Sequence, residues 1–343
     1  MGVTGARPGR TAIPPDPASA DGTAAPAVVV AVDGGGSKTD AIALSLDGRV
    51  VARRRGGGSS PHFDGLASSV ETIDALIGEV SGGAPVAQAN LYLSGLDLDR
   101  ELDEFRAELA GRRWAGPSTV VANDLFALLR AGTDEPDAVV VVCGTGVNAA
   151  GVRADGRVVR FPSLGAISGD WGGGSGLGAE ALWHAARDAD GRGPATWLTG
   201  AILELLQLDS VQELIEQLHF GQRQESSLAV LAPLVFEAAR RGDAVGASLV
   251  ARQAEEIVAF ARACLVRLEL LDRPVPIVLG GGILAARDPL LLEPIERGLT
   301  GIAPLATLAI VEQPPIVGAA LLALASAGAG EEALARARTA LAG

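Results

Sequence analysis

The single lysine of this chain, Lys38, lies in a glycine-rich segment, Asp33–Thr39, directly after a short apolar run. Glycines let the backbone approach a ligand closely, and successive N–H groups in such a turn converge on phosphate oxygens. An ammonium group beside them would add a compact positive charge. The segment therefore predicts a phosphate-binding turn. Its predicted binding residues are Gly35, Gly36, Ser37, Lys38 and Thr39.

Two further glycine turns follow the apolar runs 138–142 and 275–279. Any one glycine turn can simply close a tight bend, but three turns at strand ends favour a ligand site, because α/β folds bind ligands there. The predicted binding residues are Gly144, Thr145, Gly146, Gly280, Gly281 and Gly282. Ser37 stands where a Walker A loop has glycine, and both of the first two turns lead into strands. Neither a Walker A loop nor a Rossmann turn is therefore indicated.

Three aspartates lie beside turns or strand ends. Asp124 sits between a predicted strand and a predicted helix over 125–130, where it could cap the helix or act as a general base. Asp33 precedes the first glycine turn and could be a turn residue or hold magnesium through water. Asp170 precedes glycines, so turn chemistry, metal binding and substrate contact all remain open.

The elements around these residues occur twice. A strand, a glycine turn, a second strand, an Asp-Gly turn and a third strand are followed about a hundred residues later by the same order. Even the pentapeptide Asp47–Val51 recurs as Asp155–Val159. Apolar residues at three- and four-residue spacing then predict helices, for example over 197–206. The pattern predicts a duplicated α/β unit.

Composition excludes several functions. The net charge of -13 and the pI near 4.8 argue against a nucleic-acid surface. Cys143 and Cys264 form no disulfide framework or zinc spacing, which favours the cytoplasm. Residues 1–26 are rich in Pro, Ala and Gly, and we expect a disordered tail there. The apolar stretch Ile316–Gly330 is too short to span a membrane and predicts a buried helix.

Six segments occur in a specific order: 33–39, 94–97, 123–124, 144–148, 165–178 and 280–282. Together they resemble the N-acetylglucosamine kinase and BadF/BadG-type ATPase family, within the actin-like sugar kinase superfamily. The resemblance implies an α/β fold with two ribonuclease-H-like domains and a nucleotide cleft between them. It places the N-terminal domain at 27–121 and the C-terminal domain at 122–315, with a closing helix over 316–340 returning to the first domain.

The resemblance also implies a reaction, in which the γ-phosphate of ATP, bound with Mg²⁺, is transferred to a hydroxyl of an amino sugar, N-acetylglucosamine or glucosamine. The first two glycine turns would hold the β- and γ-phosphates and the third would lie against adenosine. Asp124 would be the catalytic base, and Asp33 and Asp170 would hold the metal. The expected substrate contacts are Ser94, Asn123, Asn148, Asp170 and His62. We expect a homodimer.

Two departures from the family pattern affect the sugar side. Pro61 stands where the amino-sugar kinases carry an asparagine that touches the sugar, and Trp171 replaces a glutamate. The sugar is therefore less well defined by the resemblance than the kinase reaction. Two alternatives stay open: an ATPase that drives a partner protein through an iron-sulfur cluster shared between two subunits, and a non-catalytic sugar sensor.

Overall fold

The computed structural model describes residues 26–342. The predicted tail, residues 1–26, lies outside this range apart from Pro26. The described residues form helices and two five-stranded sheets. The strands are β1 (Val28–Gly34), β2 (Thr39–Leu44), β3 (Val50–Gly56), β4 (Val86–Leu93), β5 (Val120–Asn123), β6 (Ala138–Cys143), β7 (Val147–Val152), β8 (Val158–Arg160), β9 (Pro276–Gly280) and β10 (Thr307–Ile310).

The two sheets share one topology. The first has the strand order β3-β2-β1-β4-β5, and the second has the order β10-β9-β6-β7-β8. Read from the other edge, the second sheet repeats the first, with β6 in the place of β1. In both, the first three strands are antiparallel and the last two are added in parallel. The duplication predicted from the sequence is therefore visible in the strand order.

Helices cover the sheets. The α-helices are α1 (Pro61–Asp64), α2 (Leu66–Ser81), α3 (Asp99–Glu108), α4 (Leu125–Gly132), α5 (Gly173–Ala189), α6 (Trp197–Leu206), α7 (Val211–His219), α8 (Ala232–Arg240), α9 (Ala244–Leu268), α10 (Gly282–Ala285), α11 (Pro289–Ile302), α12 (Pro315–Ser326) and α13 (Glu331–Leu341). Short 3-10 helices span Gly165–Ile167 and Glu225–Leu231. No helix within residues 26–342 is both long enough and apolar enough to cross a bilayer.

Strand β1 is buried on both faces, as a central strand requires. Val30 and Val32 face the core built with α2 and α3, whereas Val29 and Ala31 face the core built with α12 and α13. The second sheet has a larger core, in which helices α5, α6, α8, α9 and α11 pack together against β6 and β7.

Helices α4 and α12 pack closely where the two sheets approach each other. Leu125, Leu128 and Leu129 of α4 are buried with residues of the second sheet, whereas Ala127 of the same helix packs with α12 and the first sheet. Gly318 of α12 lies so close to the Ala127 carbonyl that a Cβ atom would collide with it. A small residue is thus required at this helix crossing.

The closing helix expected over 316–340 is two helices, α12 and α13. Gly328 adopts a φ of +79°, which an α-helix cannot contain, and the chain turns there. The single-helix prediction was therefore wrong. Helix α12 does pack on β1 of the first sheet, while the exact domain bounds stay a prediction.

Candidate active site

Two of the predicted aspartates lie at the same edge of the first sheet. Asp33 belongs to the end of β1, and Asp124 follows β5; both strands run parallel to β4 between them. Burial, and next the negative charge of Asp124, raise the pKa of Asp33 to about 7. Burial, and next the charge of Asp97, raise the pKa of Asp124 to about 7. The fold thus holds two carboxylates in a site that penalises their charge.

Asp124 occupies the N-cap position of α4, yet its side chain makes no capping hydrogen bond. The capping acceptor is instead Asn123, whose Oδ1 accepts from the Leu125 N–H at 3.0 Å. The side chain that caps helix α4 is therefore Asn123, not Asp124, although the nearby N–H groups of Asp124 and Leu125 lower the pKa of the Asp124 carboxylate.

The first glycine turn is fixed by its neighbours. The Gly35 N–H donates to the Lys38 carbonyl at 2.9 Å, and the Ser59 N–H donates to the Gly35 carbonyl at 3.0 Å. The N–H groups of Gly36, Ser37 and Lys38 find no acceptor among the described residues. These are the donors that a phosphate needs.

Thr39 differs from the rest of the first turn. Its side chain is fully buried, and its Oγ1 atom lies 2.7 Å from both the Ser59 hydroxyl and the Gly57 carbonyl. The hydroxyl therefore holds the turn against the segment that follows β3 and is not presented to a ligand.

The second and third glycine turns pack directly against each other. Gly281 has a φ of +89°, and a Cβ atom there would collide with the Cys143 carbonyl. The second turn is also held by α5, whose Gly174 N–H donates to the Gly144 carbonyl at 2.7 Å. The N–H groups of Thr145 and Gly146 have no acceptor among the described residues. Here, too, the backbone offers unpartnered donors to a ligand.

Gln253 of α9 supports this arrangement, and sequence reasoning missed it. Its side chain is fully buried, and its Oε1 atom accepts from the Gly173 N–H at 2.7 Å. It thereby fixes the turn that begins α5, beside the second glycine turn. A glutamine amid the apolar positions of a predicted helix is the signal that would have marked it.

The third predicted aspartate, Asp170, lies between the 3-10 helix Gly165–Ile167 and α5. Its Oδ2 atom accepts from the Ser168 hydroxyl at 2.5 Å. The neighbouring Trp171, which replaces the family's glutamate, donates to Glu180 at 3.0 Å and stacks under the Arg252 guanidinium.

Predicted substrate contacts meet at an aspartate that sequence reasoning did not single out. The Oδ1 atom of Asp97 accepts from the Asn123 amide and from the Asn148 amide, each at 3.0 Å. Asn123 ends the first sheet's strand β5, and Asn148 lies on β7 of the second sheet. Nearby, the Ser94 hydroxyl oxygen is buried without a hydrogen-bond partner among the described residues.

His62 belongs to the same cluster. Its Nε2 atom lies 2.7 Å from a Glu101 oxygen, and the other Glu101 oxygen accepts the N–H groups of Asp97 and Leu98, each at 2.8 Å. Ligating atoms of His62, Asp97 and Glu101 lie within 4.8 Å of one another. Because both acids already accept hydrogen bonds from amides, this is a hydrogen-bonded cluster of polar residues.

Two α/β halves of one topology, with glycine turns at their strand ends, define an actin-like nucleotide-binding fold. A family model described as the BadF/BadG/BcrA/BcrD ATPase family matches residues 30–323. The chain belongs to this family. The predicted family and the predicted fold are both confirmed.

Individual relatives agree. The N-acetyl-D-glucosamine kinase of Dictyostelium discoideum is 29% identical over 314 residues, covering 87% of this chain and 98% of the relative. The N-acetylmuramic acid/N-acetylglucosamine kinase of Clostridium acetobutylicum is 28% identical over 261 residues. The match covers 75% of this chain and 85% of the relative. A candidate N-acetylglucosamine kinase from Chromobacterium violaceum has a solved structure with a TM-score of 0.66 at 26% identity. The match covers 87% of this chain and 99% of that chain.

Proposed function

We propose that this chain is an ATP-dependent sugar kinase that transfers the γ-phosphate of ATP to a hydroxyl of an amino sugar, with Asp124 as the general base. The observation that carries the proposal is the half-buried Asp124 carboxylate, which makes no capping hydrogen bond and whose pKa is raised to about 7. A base that titrates near neutral pH suits proton transfer from a hydroxyl. The enzyme class agrees with the names of the relatives.

The phosphate end rests on backbone donors. In this proposal, the free N–H groups of the first and second turns bind the β- and γ-phosphates, and Gly280–Gly282 lies against adenosine. Lys38 adds a positive charge. Such preorganised donors stabilise the charge that develops during phosphoryl transfer.

Magnesium fits the residues present. Asp33 offers a hard oxygen ligand, and the nearby negative charge of Asp124 adds to the charge that a cation would compensate there. We propose that Asp33 holds the ion, directly or through water, and the ion would neutralise charge on the phosphates. Asp170, the other predicted ligand, has Ser168 as its partner instead, and we assign it to the sugar side.

The sugar end rests on side chains. The proposed sugar contacts are the buried Ser94 hydroxyl, which has no partner among the described residues, and the Asn148 amide, which meets the Asn123 amide at Asp97. N-acetylglucosamine and glucosamine are the proposed substrates. N-acetylmuramic acid is a further candidate, because the Clostridium acetobutylicum relative is named for it.

In the proposed step, one bond to phosphorus forms, one bond to phosphorus breaks, and one proton is transferred. The sugar oxygen bonds to the γ-phosphorus while the bond from that phosphorus to the bridging oxygen of ADP breaks. The hydroxyl proton moves to a carboxylate oxygen of Asp124. The reaction needs positioning and charge stabilisation more than covalent chemistry by the protein.

The cysteines argue against the partner-driving ATPase. Both cysteines are free and buried, and burial raises the pKa of each thiol to about 12. Neither Cys143 nor Cys264 is presented at a surface where two subunits could share a cluster. The homodimer and the cytoplasmic location remain predictions.

The test of the base is Asp124→Asn. We expect kcat for ATP-dependent sugar phosphorylation to fall by about 10²–10⁴-fold, because the amide cannot accept the proton. Nucleotide affinity, measured by calorimetry, should stay close to wild type. The control is Asp103→Asn, an exposed aspartate of α3. A variant that keeps its wild-type rate would remove Asp124 from this role.

A screen defines the sugar. Glucosamine, N-acetylglucosamine, N-acetylmuramic acid and glucose are compared by ADP release with the wild-type protein. We expect amino sugars to be consumed faster than glucose. ADP release that no sugar accelerates would contradict the kinase proposal.

A further inference from the structure

Asp97 accepts a hydrogen bond from an amide group in each half of the molecule. The loop after β4 carries it, and its Oδ1 atom accepts from Asn123 in the first half and from Asn148 in the second half, each at 3.0 Å. Side chains that converge on one carboxylate from two sheets must be brought there by the packing of the halves. The two hydrogen bonds of Asp97 therefore depend on how the two halves pack together.

The orientation of both amides is fixed. The Asn123 Oδ1 atom accepts from the Leu125 N–H at 3.0 Å, and the Asn148 Oδ1 atom accepts from the Ala149 N–H at 2.7 Å. Each amide oxygen is thus engaged, and each NH₂ group faces Asp97. The NH₂ group of Asn123 has a second acceptor in the Leu96 carbonyl at 3.4 Å.

Asn148 and Asp97 each keep one unused position. Among the described residues, the NH₂ group of Asn148 donates only to Asp97. The Oδ2 atom of Asp97 receives no hydrogen bond from them. A free donor therefore lies beside a free acceptor. A hydroxyl group matches this pair, because it can accept from the amide and donate to the carboxylate at once.

We propose that Asp97 is a substrate-binding residue: one hydroxyl of the sugar donates to its Oδ2 atom and accepts from the Asn148 amide, which Asp97 positions. This inference rests on the proposed function, and it names a residue and a contact beyond it. A site built to hydrogen-bond a hydroxyl discriminates strongly against an analogue that lacks it, because buried polar groups are then left unpaired.

The charge of Asp97 is set by its surroundings. Burial raises the pKa of Asp97 to about 6; His62 lowers it, Glu101 raises it, and Asn148 and Arg160 lower it. The ionised form is the better acceptor for a hydroxyl. The sugar should therefore bind more weakly as the pH falls below about 6.

Two substitutions separate the negative charge of Asp97 from its hydrogen bonds to the two amides. Asp97→Asn keeps an oxygen that both amides can donate to, but it offers an NH₂ group to the sugar. Asp97→Ala removes the acceptor altogether. The matched control is Asp99→Asn, since Asp99 also reaches the second half, through Arg160, but is exposed.

The readout is the equilibrium binding of N-acetylglucosamine and its 3-deoxy, 4-deoxy and 6-deoxy analogues, measured by calorimetry beside ADP binding. For Asp97→Ala we expect sugar affinity to fall by about 10- to 100-fold, with a smaller loss for Asp97→Asn. ADP affinity should stay within about twofold of wild type, which shows that the fold persists. One deoxy analogue should bind wild type weakly and lose little more in Asp97→Ala.

The outcomes are separable. If wild type binds N-acetylglucosamine and Asp97→Ala binds it equally well, Asp97 does not contact the sugar, whereas the proposed function stands. The same holds if Asp97→Ala weakens every deoxy analogue as much as the parent sugar, which would indicate a purely structural role. If wild type binds no amino sugar, the proposed function fails and this inference fails with it.

Discussion

The two ends of the candidate site are built from different materials. At the phosphate end, Gly144–Gly146 and Gly280–Gly282 pack backbone against backbone, so that a Cβ atom on Gly281 would collide with the Cys143 carbonyl. At the sugar end, side chains from both halves meet at Asp97. The phosphate end can therefore be disrupted by adding atoms, and the sugar end by removing polar ones.

The difference fits the two proposed ligands. All nucleoside triphosphates present the same triphosphate chain, which backbone donors bind irrespective of side-chain identity. Sugars differ in single hydroxyl groups, which side chains distinguish. Specificity should thus change through the sugar end while the phosphate end stays the same. Pro61 and Trp171, the departures from the family pattern, both belong to segments predicted to contact the sugar.

Within the phosphate end, the largest effect should come from adding one methyl group. In Gly281→Ala, the new Cβ atom meets the Cys143 carbonyl, and the φ of +89° disfavours any L-residue. We expect the free energy of unfolding to fall by roughly 1–3 kcal/mol. ADP affinity should fall at least about tenfold, since the second and third turns must separate. Chemical denaturation and calorimetry measure both.

The adjacent glycine supplies the control for that substitution. A Cβ atom on Gly282 would meet nothing within 4 Å, and this residue begins helix α10. Gly282→Ala should therefore keep nearly wild-type stability, and stability is the quantity that this control tests, because Gly282 is itself proposed to lie against adenosine. Equal losses of stability in both variants would contradict the view that the contact between the turns organises the phosphate end.

A pH dependence should follow from two half-buried carboxylates of the candidate site, Asp33 and Asp124. The pKa values of Asp33 and Asp124 are raised from 3.8 to about 7. The folded protein therefore binds more protons than the unfolded chain over this window, and stability falls as the pH rises through it. Without nucleotide, we expect unfolding at pH 8 to require roughly 1–4 kcal/mol less than at pH 5.

Activity should change in the opposite direction, because Asp124 must be ionised to accept a proton. We expect kcat to rise with pH through about 7. Asp124→Asn should flatten part of the stability slope, whereas Asp103→Asn should leave it unchanged. Denaturation across the pH range checks this, and an unaltered slope in Asp124→Asn would show that its carboxylate is not protonated by burial.

The phosphate end could be predicted from the sequence because its signals are local. Each glycine turn follows its own strand within a few residues, and the fold places them at strand ends as expected. Helix α6 begins and ends where the apolar spacing over 197–206 predicts, with Thr196 capping it through its side chain. Only the contact between the second and third turns required the structure.

The sugar end could not be predicted in the same way. Asp97 and Asn148 are 51 positions apart, and their contact depends on how the two halves pack. Asp97 stood in a recognised segment, but nothing local distinguished it from Asp99 or Asp103. The prediction of a single closing helix was wrong for a related reason. The segment is rich in Ala and Gly throughout, so its composition does not distinguish the turn at Gly328 from the helix before it.

The smallest effect should come from Lys38, the single lysine of the chain. Its side chain is exposed, and exposed charges contribute little because water screens them. We expect Lys38→Ala to raise the KM for ATP by about three- to tenfold with kcat nearly unchanged, and Lys38→Arg, which keeps the charge, to stay close to wild type. Steady-state kinetics at low and high salt measures both, with the effect shrinking at high salt. A hundredfold loss of kcat in Lys38→Ala would mean that a side chain dominates the phosphate end, and the contrast between the two ends would no longer hold.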